Sequence, residues 1–111
     1  MSELTFQNYQ ERAAETAIYP KEKGLEYTVL GLVSEAGEVA GKVKKIIRDN
    51  NGIISDENKK ELLKEIGDCI WYIAAICTEL DGELQLVAQQ NLAKLAERKE
   101  RGVLKGSGDN R

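Results

Sequence analysis

GLVSEAGEVAGKVKK, residues 31–45, and LLKEIGDCIWYIAAI, residues 62–76, decide how this chain is read. In both stretches apolar residues recur every three or four positions, the pattern of an amphipathic helix. Each also carries two acids three apart, Glu35-x-x-Glu38 and Glu65-x-x-Asp68, inside an otherwise apolar run. On a helix such residues share a face, separated by roughly 60° and ~4.5 Å of height. Two such helices side by side point four carboxylates into one small space. Those charges repel, and burial raises the cost further. A cation is the usual remedy, so the two stretches ask for a metal.

Further helices flank these two. A first helix is expected from about Thr5 to Ile18, capped by Thr5 and ended by Tyr19-Pro20, because proline disfavours helix at the residue before it. The second runs from about Leu25 to Arg48 and stops at the turn signal Asp49-Asn50-Asn51-Gly52. Ser55 or Asp56 caps the third, which reaches Leu80. Its second half, Cys69 to Cys77, is apolar nearly all round, which calls for burial on several sides. In so small a protein an oligomer interface is the natural way to bury it. The fourth helix runs from about Glu83 to Arg101. Strand signals are nearly absent, and the expectation is an all-α, four-helix bundle completed by oligomerisation. Residues 1–104 form one domain, and 105–111 a glycine-rich tail.

Composition narrows the chemistry. The chain has 111 residues, a net charge of −3 and both signs interleaved. A general nucleic-acid binder would carry a basic stripe instead. No apolar run approaches the roughly 18 residues of a membrane span, and the N-terminus is unlike a signal peptide, so a cytoplasmic protein is expected. There is no histidine. That removes Ser-His-Asp and Cys-His nucleophile systems, imidazole-based zinc sites and the Glu-x-x-His di-iron bundles. Cys69 and Cys77 lie eight residues apart on one helix, roughly 12 Å along its axis, too far for a disulfide or a shared metal. Carboxylate oxygens remain as ligands, and they suit magnesium, manganese or calcium.

Oxygen-only coordination favours phosphate-bearing ligands. On the fourth helix Lys94, Arg98 and Arg101 share a face, with Asn91 three residues before Lys94. That face reads either as a basic wall for phosphate or as an ordinary solvated surface. Gly31, Gly37, Gly41 and Gly67 each cost about 1 kcal/mol relative to alanine inside a helix. They read as close helix approach beside the acids or as small-residue packing between any two helices. Trp71, among apolar neighbours, reads as core or interface rather than a base-stacking residue. The tail is a frayed terminus or a lid in which Lys105, Arg111 and the Gly-Ser-Gly amides meet phosphates.

SEAGEV at 34–39, KEIGDCIWYI at 64–73 and NLAKLAERKERG at 91–102 together resemble a MazG-like nucleotide pyrophosphohydrolase of the all-α NTP pyrophosphatase superfamily. The likeness covers nearly the whole chain in order. It implies a four-helix fold assembled as a homodimer or a dimer-of-dimers tetramer. It implies magnesium-dependent hydrolysis of a nucleoside triphosphate to the monophosphate and pyrophosphate, with manganese as the alternative ion. The family's metal ligands fall on Glu35, Glu38, Glu65 and Asp68. Its phosphate-contacting residues fall on Lys94 and Arg98, and Tyr72 stands where related enzymes place a residue near the sugar. The runner-up is a non-catalytic helical module that binds a nucleotide, a metal or a partner protein. A metal-buffering bundle is a third reading.

Overall fold

The computed structural model describes residues 3–108. Among these, α1 spans Phe6–Ala14, α2 Gly24–Asn50, α3 Asp56–Glu79 and α4 Leu84–Arg101, with one 3₁₀ turn over Lys21–Lys23 and no strand. The all-α expectation holds.

Local sequence explains most of the boundaries. Thr5 caps α1 and Ser55 caps α3, each exchanging side-chain and backbone hydrogen bonds with an asparagine three residues on, Asn8 and Asn58. These capping boxes satisfy helix-end amides that would otherwise lack partners. After α2, Asn51 turns left-handed at φ 55° and Gly52 follows at φ 76°, a common way to end a helix. The first helix is shorter than its sequence pattern suggests. It ends at Ala14, because the next residues tighten into i+3 hydrogen bonds and Thr16 is drawn to Trp71 Nε1, which donates to its hydroxyl at 2.9 Å. The tertiary contact overrides local helix preference.

α4 has no side-chain cap of its own. Gln10 of α1 supplies one: its Oε1 accepts the Leu84 N–H at 2.8 Å, and its Nε2 donates to Gly82 O at 3.0 Å and Thr78 Oγ1 at 3.1 Å. One half-buried amide thus ties α1 to the α3–α4 corner.

α2 and α3 form an antiparallel hairpin, the main helix pairing of the protomer. Its register is fixed by close approach at one end. Glu79 lies over Gly24, and the Tyr72 ring lies over Gly31. Between them Thr28 is 0% exposed, its hydroxyl donating back to Gly24 O at 2.8 Å. Further along, Glu35 stands with Glu65 and Asp68, and Lys42 pairs with Glu61.

Few hydrophobic residues are buried in the protomer: Tyr19, Ile46, Ala74, Ala75 and Leu84. Burial of α3's apolar half reaches Ala74 and Ala75, while Ile70 and Ile73 stay exposed. Val33 is 65% exposed and Leu92 69%. The radius of gyration is 17.1 Å, where a compact chain of about 100 residues has about 13 Å. No helix among the described residues is long and apolar enough to cross a membrane.

Candidate metal centre

Three of the four acids singled out above converge. Glu35 of α2 meets Glu65 and Asp68 of α3, and each offers a carboxylate oxygen within 4.8 Å of the others. Glu35 and Glu65 are half-buried and Asp68 is exposed. Glu38, one position round the α2 face, is exposed and stands outside the trio.

The electrostatics are those of an uncompensated site. The Glu35 carboxyl is pushed above the usual carboxylate range, first by burial. A hydrogen bond to Glu65 raises it further, and the charges of Asp68, Glu65 and Glu38 follow. Burial and each neighbouring acid favour the protonated form, as expected for carboxylates crowded together without a counter-charge. A hard divalent cation coordinated by oxygens would reverse that balance. The donor set fits such an ion.

Tyrosines border the trio. Tyr72, one turn after Asp68, rests its ring on the α2 backbone at Gly31, where an added methyl group would collide with the ring. Its hydroxyl is held above the usual tyrosine range by burial, then by the neighbouring Tyr27 and by Glu35 and Asp68. Tyr9, on α1, is raised by burial and by Asp68. Behind Tyr72, Trp71 and Tyr19 meet edge to face and Tyr19 stacks on Tyr27 at 5.2 Å. Trp71 is half-buried within this aromatic cluster. Tyr19 donates to Glu79 Oε2 at 2.7 Å, and Lys21 sits 4.1 Å from the centre of its ring.

The basic face of α4 is not brought to this site within the protomer. α4 touches α1 and the end of α3 but makes no contact with α2. Asn91, Lys94 and Arg101 are exposed, Arg101 pairing with Glu97 along its own helix. Arg98 is only 3% exposed, so it is an interior residue of the protomer rather than part of a solvated wall. The glycines also separate. Gly31 lies against Tyr72, whereas a methyl group at Gly37, Gly41 or Gly67 meets nothing within 4 Å. Close approach therefore occurs a turn away from the acid pairs and not inside them. Of the lid residues suggested for the tail, Lys105 is exposed, and Arg111 lies outside the described residues.

Sequence reasoning named Gly31 for close helix approach, but it missed Tyr27 and Tyr9 beside the acids and Lys42 facing Glu61. A signal was present for Lys42 and Glu61, as for Gly31 and Tyr72. Gly31 stands four residues before Glu35 and Tyr72 four after Asp68; Lys42 stands four after Glu38 and Glu61 four before Glu65. Mirrored offsets of this kind are what an antiparallel pair of helices brings face to face.

The comparisons with known proteins agree with the all-helical fold. The model of the MazG nucleotide pyrophosphohydrolase domain matches residues 23–103, a span that holds the acid trio, Glu38 and the whole α2–α3 hairpin. The chain is 52% identical over 109 residues to the Gene 37 protein of Mycobacterium phage L5, covering 93% of this chain and 96% of that one. No solved structure matches significantly. The convergent carboxylates, the all-helical fold and a family match over most of the chain lead to one assignment: this protein belongs to the MazG nucleotide pyrophosphohydrolase domain family.

Proposed function

We propose that this chain is a magnesium-dependent nucleoside triphosphate pyrophosphohydrolase, converting a ribo- or deoxyribonucleoside triphosphate to the monophosphate and pyrophosphate. The observation that carries the reading is the convergence of Glu35, Glu65 and Asp68, with oxygen ligands within 4.8 Å of one another. These three residues would hold the ion, with manganese the alternative to magnesium. Such an ion supplies charge neutralisation for phosphate oxygens and acidifies water.

The chain's own residues do the rest. Glu35, Glu65 and Asp68 fix where the polyphosphate sits. Glu38 is the one acid of the four left outside the trio, and we assign it the water's proton. The water oxygen bonds to phosphorus as the bridging oxygen between the α and β phosphorus atoms departs with its electron pair. The proton passes to the Glu38 carboxylate, and pyrophosphate leaves. General-base help of this kind contributes about 10²–10⁴-fold.

We also propose that the working form is a homodimer or a dimer of dimers. Exposed Val33, Leu63, Ile66 and Leu92, on α2, α3 and α4, support it, because isolated protomers rarely leave so much apolar surface in water. A second copy is also what could carry the α4 residues Asn91, Lys94 and Arg101 to an α2 they do not reach at home.

The test is a panel of nucleoside triphosphates incubated with magnesium and again with chelator, products separated by anion exchange. Pyrophosphate and monophosphate in equal amounts are expected, with none under chelator. Asp68→Ala and Glu38→Ala should lose turnover with an unchanged helical circular dichroism spectrum. Near-normal turnover in both would end the assignment. Sedimentation velocity checks the oligomer, and a monomer at micromolar concentration would refute it.

A further inference from the structure

The seam between α2 and α3 leaves the acid trio in two directions. Toward Gly24 it is shut. The Tyr72 ring covers Gly31, Thr28 is fully buried, and Glu79 covers Gly24. The Lys21 ammonium at that end sits over the Tyr19 ring. A polyphosphate reaching that way would meet packed rings and another carboxylate.

Toward the hairpin the helices part around a cleft of about 560 Å³, whose walls include Lys42, Lys45, Asn50, Ser55, Asn58 and Glu61. The cleft continues the face of the acids. Lys42 is one turn beyond Glu38 and Glu61 one turn before Glu65, and a turn is about 5.4 Å along the axis. Lys42 is the one lysine among the described residues that is not exposed, with 33% of its side chain accessible. A lysine drawn into a groove gives up rotamer freedom and hydration. Its partner there is Glu61 at 3.8 Å, a long and half-exposed pairing that holds it weakly. The cleft's other acid, Asp49, is already gripped by Arg48 at 2.7 and 2.9 Å. The Arg48 guanidinium holds that carboxyl below its ordinary range, and Lys45 adds to the effect. With Asp49 matched by Arg48, Lys42 and Lys45 face the single carboxylate of Glu61, and the cleft has a positive excess.

We propose that this cleft binds the terminal phosphates of the substrate and, after cleavage, inorganic pyrophosphate, with Lys42 and Lys45 as the cations that hold it. The proposal rests on the pyrophosphohydrolase reading above and adds a direction to it. The phosphate tail runs from the acid trio toward the α2–α3 hairpin, away from the closed end. Lys42 exchanges Glu61 for a phosphate oxygen, a charge-assisted bond of the stronger kind. These cations belong to the same protomer as the acids, so this part of the site needs no second copy.

The experiment uses inorganic pyrophosphate as the probe on the full chain with magnesium. Calorimetry gives its affinity, and steady-state kinetics give its inhibition constant and the substrate KM. Lys42→Ala and Lys45→Ala should each weaken pyrophosphate about tenfold and raise KM by a similar factor. Lys42→Arg should restore much of the loss. Lys44→Ala, an exposed α2 lysine outside the cleft, should change neither value. Circular dichroism and magnesium affinity should be unmoved in all four. If the wild-type protein binds no pyrophosphate, or if Lys44→Ala weakens it as much as Lys42→Ala does, the cleft assignment is overturned. If wild-type hydrolysis proceeds while Lys42→Ala and Lys45→Ala leave KM and inhibition unchanged, the cleft is again overturned but the enzyme reading stands. If no triphosphate is hydrolysed yet pyrophosphate binds in a Lys42-dependent way, the cleft stands and the enzyme reading fails.

Discussion

The two ends of the α2–α3 seam are built on opposite terms. At one end the backbones meet through glycine: Gly24 lies under Glu79 and Gly31 under Tyr72, with a buried threonine between. At the other the helices part and leave a polar cleft. The acid trio stands where close contact gives way to open space. The closed end sets register and spacing, because rings seated on backbone allow no slippage. The open end contributes little packing and is free to take a ligand. A site that holds like charges together needs both, a rigid side to resist repulsion and an accessible side for what neutralises it.

The widest test of this contrast removes the charge at its centre. Asp68→Ala should lower turnover by several orders of magnitude while leaving the closed end folded, measured by product release and helical circular dichroism. Next in size is the ion itself. Magnesium at a hundredfold its dissociation constant should stabilise the fold by about 2.7 kcal/mol, read as a rise in melting temperature that chelator abolishes. Without metal the raised Glu35 carboxyl has a definite sign. The folded state binds that proton more tightly than the unfolded chain, so this contribution to stability is present at acid pH and lost as pH rises through the carboxylate range. Glu35→Gln should flatten that slope and raise the metal-free melting temperature, while weakening the metal's effect.

Glycine substitutions separate the two ends directly. Gly31→Ala forces a methyl group into the Tyr72 ring, and overpacking of this kind costs about 1–3 kcal/mol against roughly 1 kcal/mol gained in helix propensity. A net loss in urea-melt stability is expected. Gly37→Ala, on the same helix with nothing within 4 Å, should instead stabilise by about 1 kcal/mol. A loss there would show that another surface covers Gly37 in solution. The smallest effect lies at the closed end's edge. Tyr19 is raised from 10.0 to about 12 by burial and its Glu79 bond. Its stabilising contribution is therefore intact below pH 10 and lost as pH climbs through about 12. Tyr19→Phe should flatten that alkaline limb in a pH-dependent melt.

Much of this was legible in the residues. Helix periodicity, the caps Thr5 and Ser55, the Asn51-Gly52 stop and the two acid pairs are local patterns, and local patterns survive without tertiary knowledge. What the residues left open was also local in origin. The basic face of α4 reads as a wall for phosphate because spacing shows which residues share a face, not what that face meets. In the protomer it does not meet α2, and Arg98 turns inward. Gly37 and Gly67 drew notice because they sit inside the acid pairs, yet Gly31 is the glycine with a ring on it. Which glycine is covered depends on helix register, and register is decided between helices.

The sequence by itself determined an all-helical chain, the absence of histidine and two acid pairs set in apolar helical runs, since these follow from periodicity, composition and charge. Only the tertiary structure decided that Glu35 joins Glu65 and Asp68 while Glu38 stands outside that trio, that Tyr72 closes one side and that Lys42 lines the cleft on the other. The physical reason is that a helix fixes the direction of each side chain about its own axis, whereas the partner it meets is chosen by the register and crossing of two helices. That register depends on which small residue lets a ring come closest.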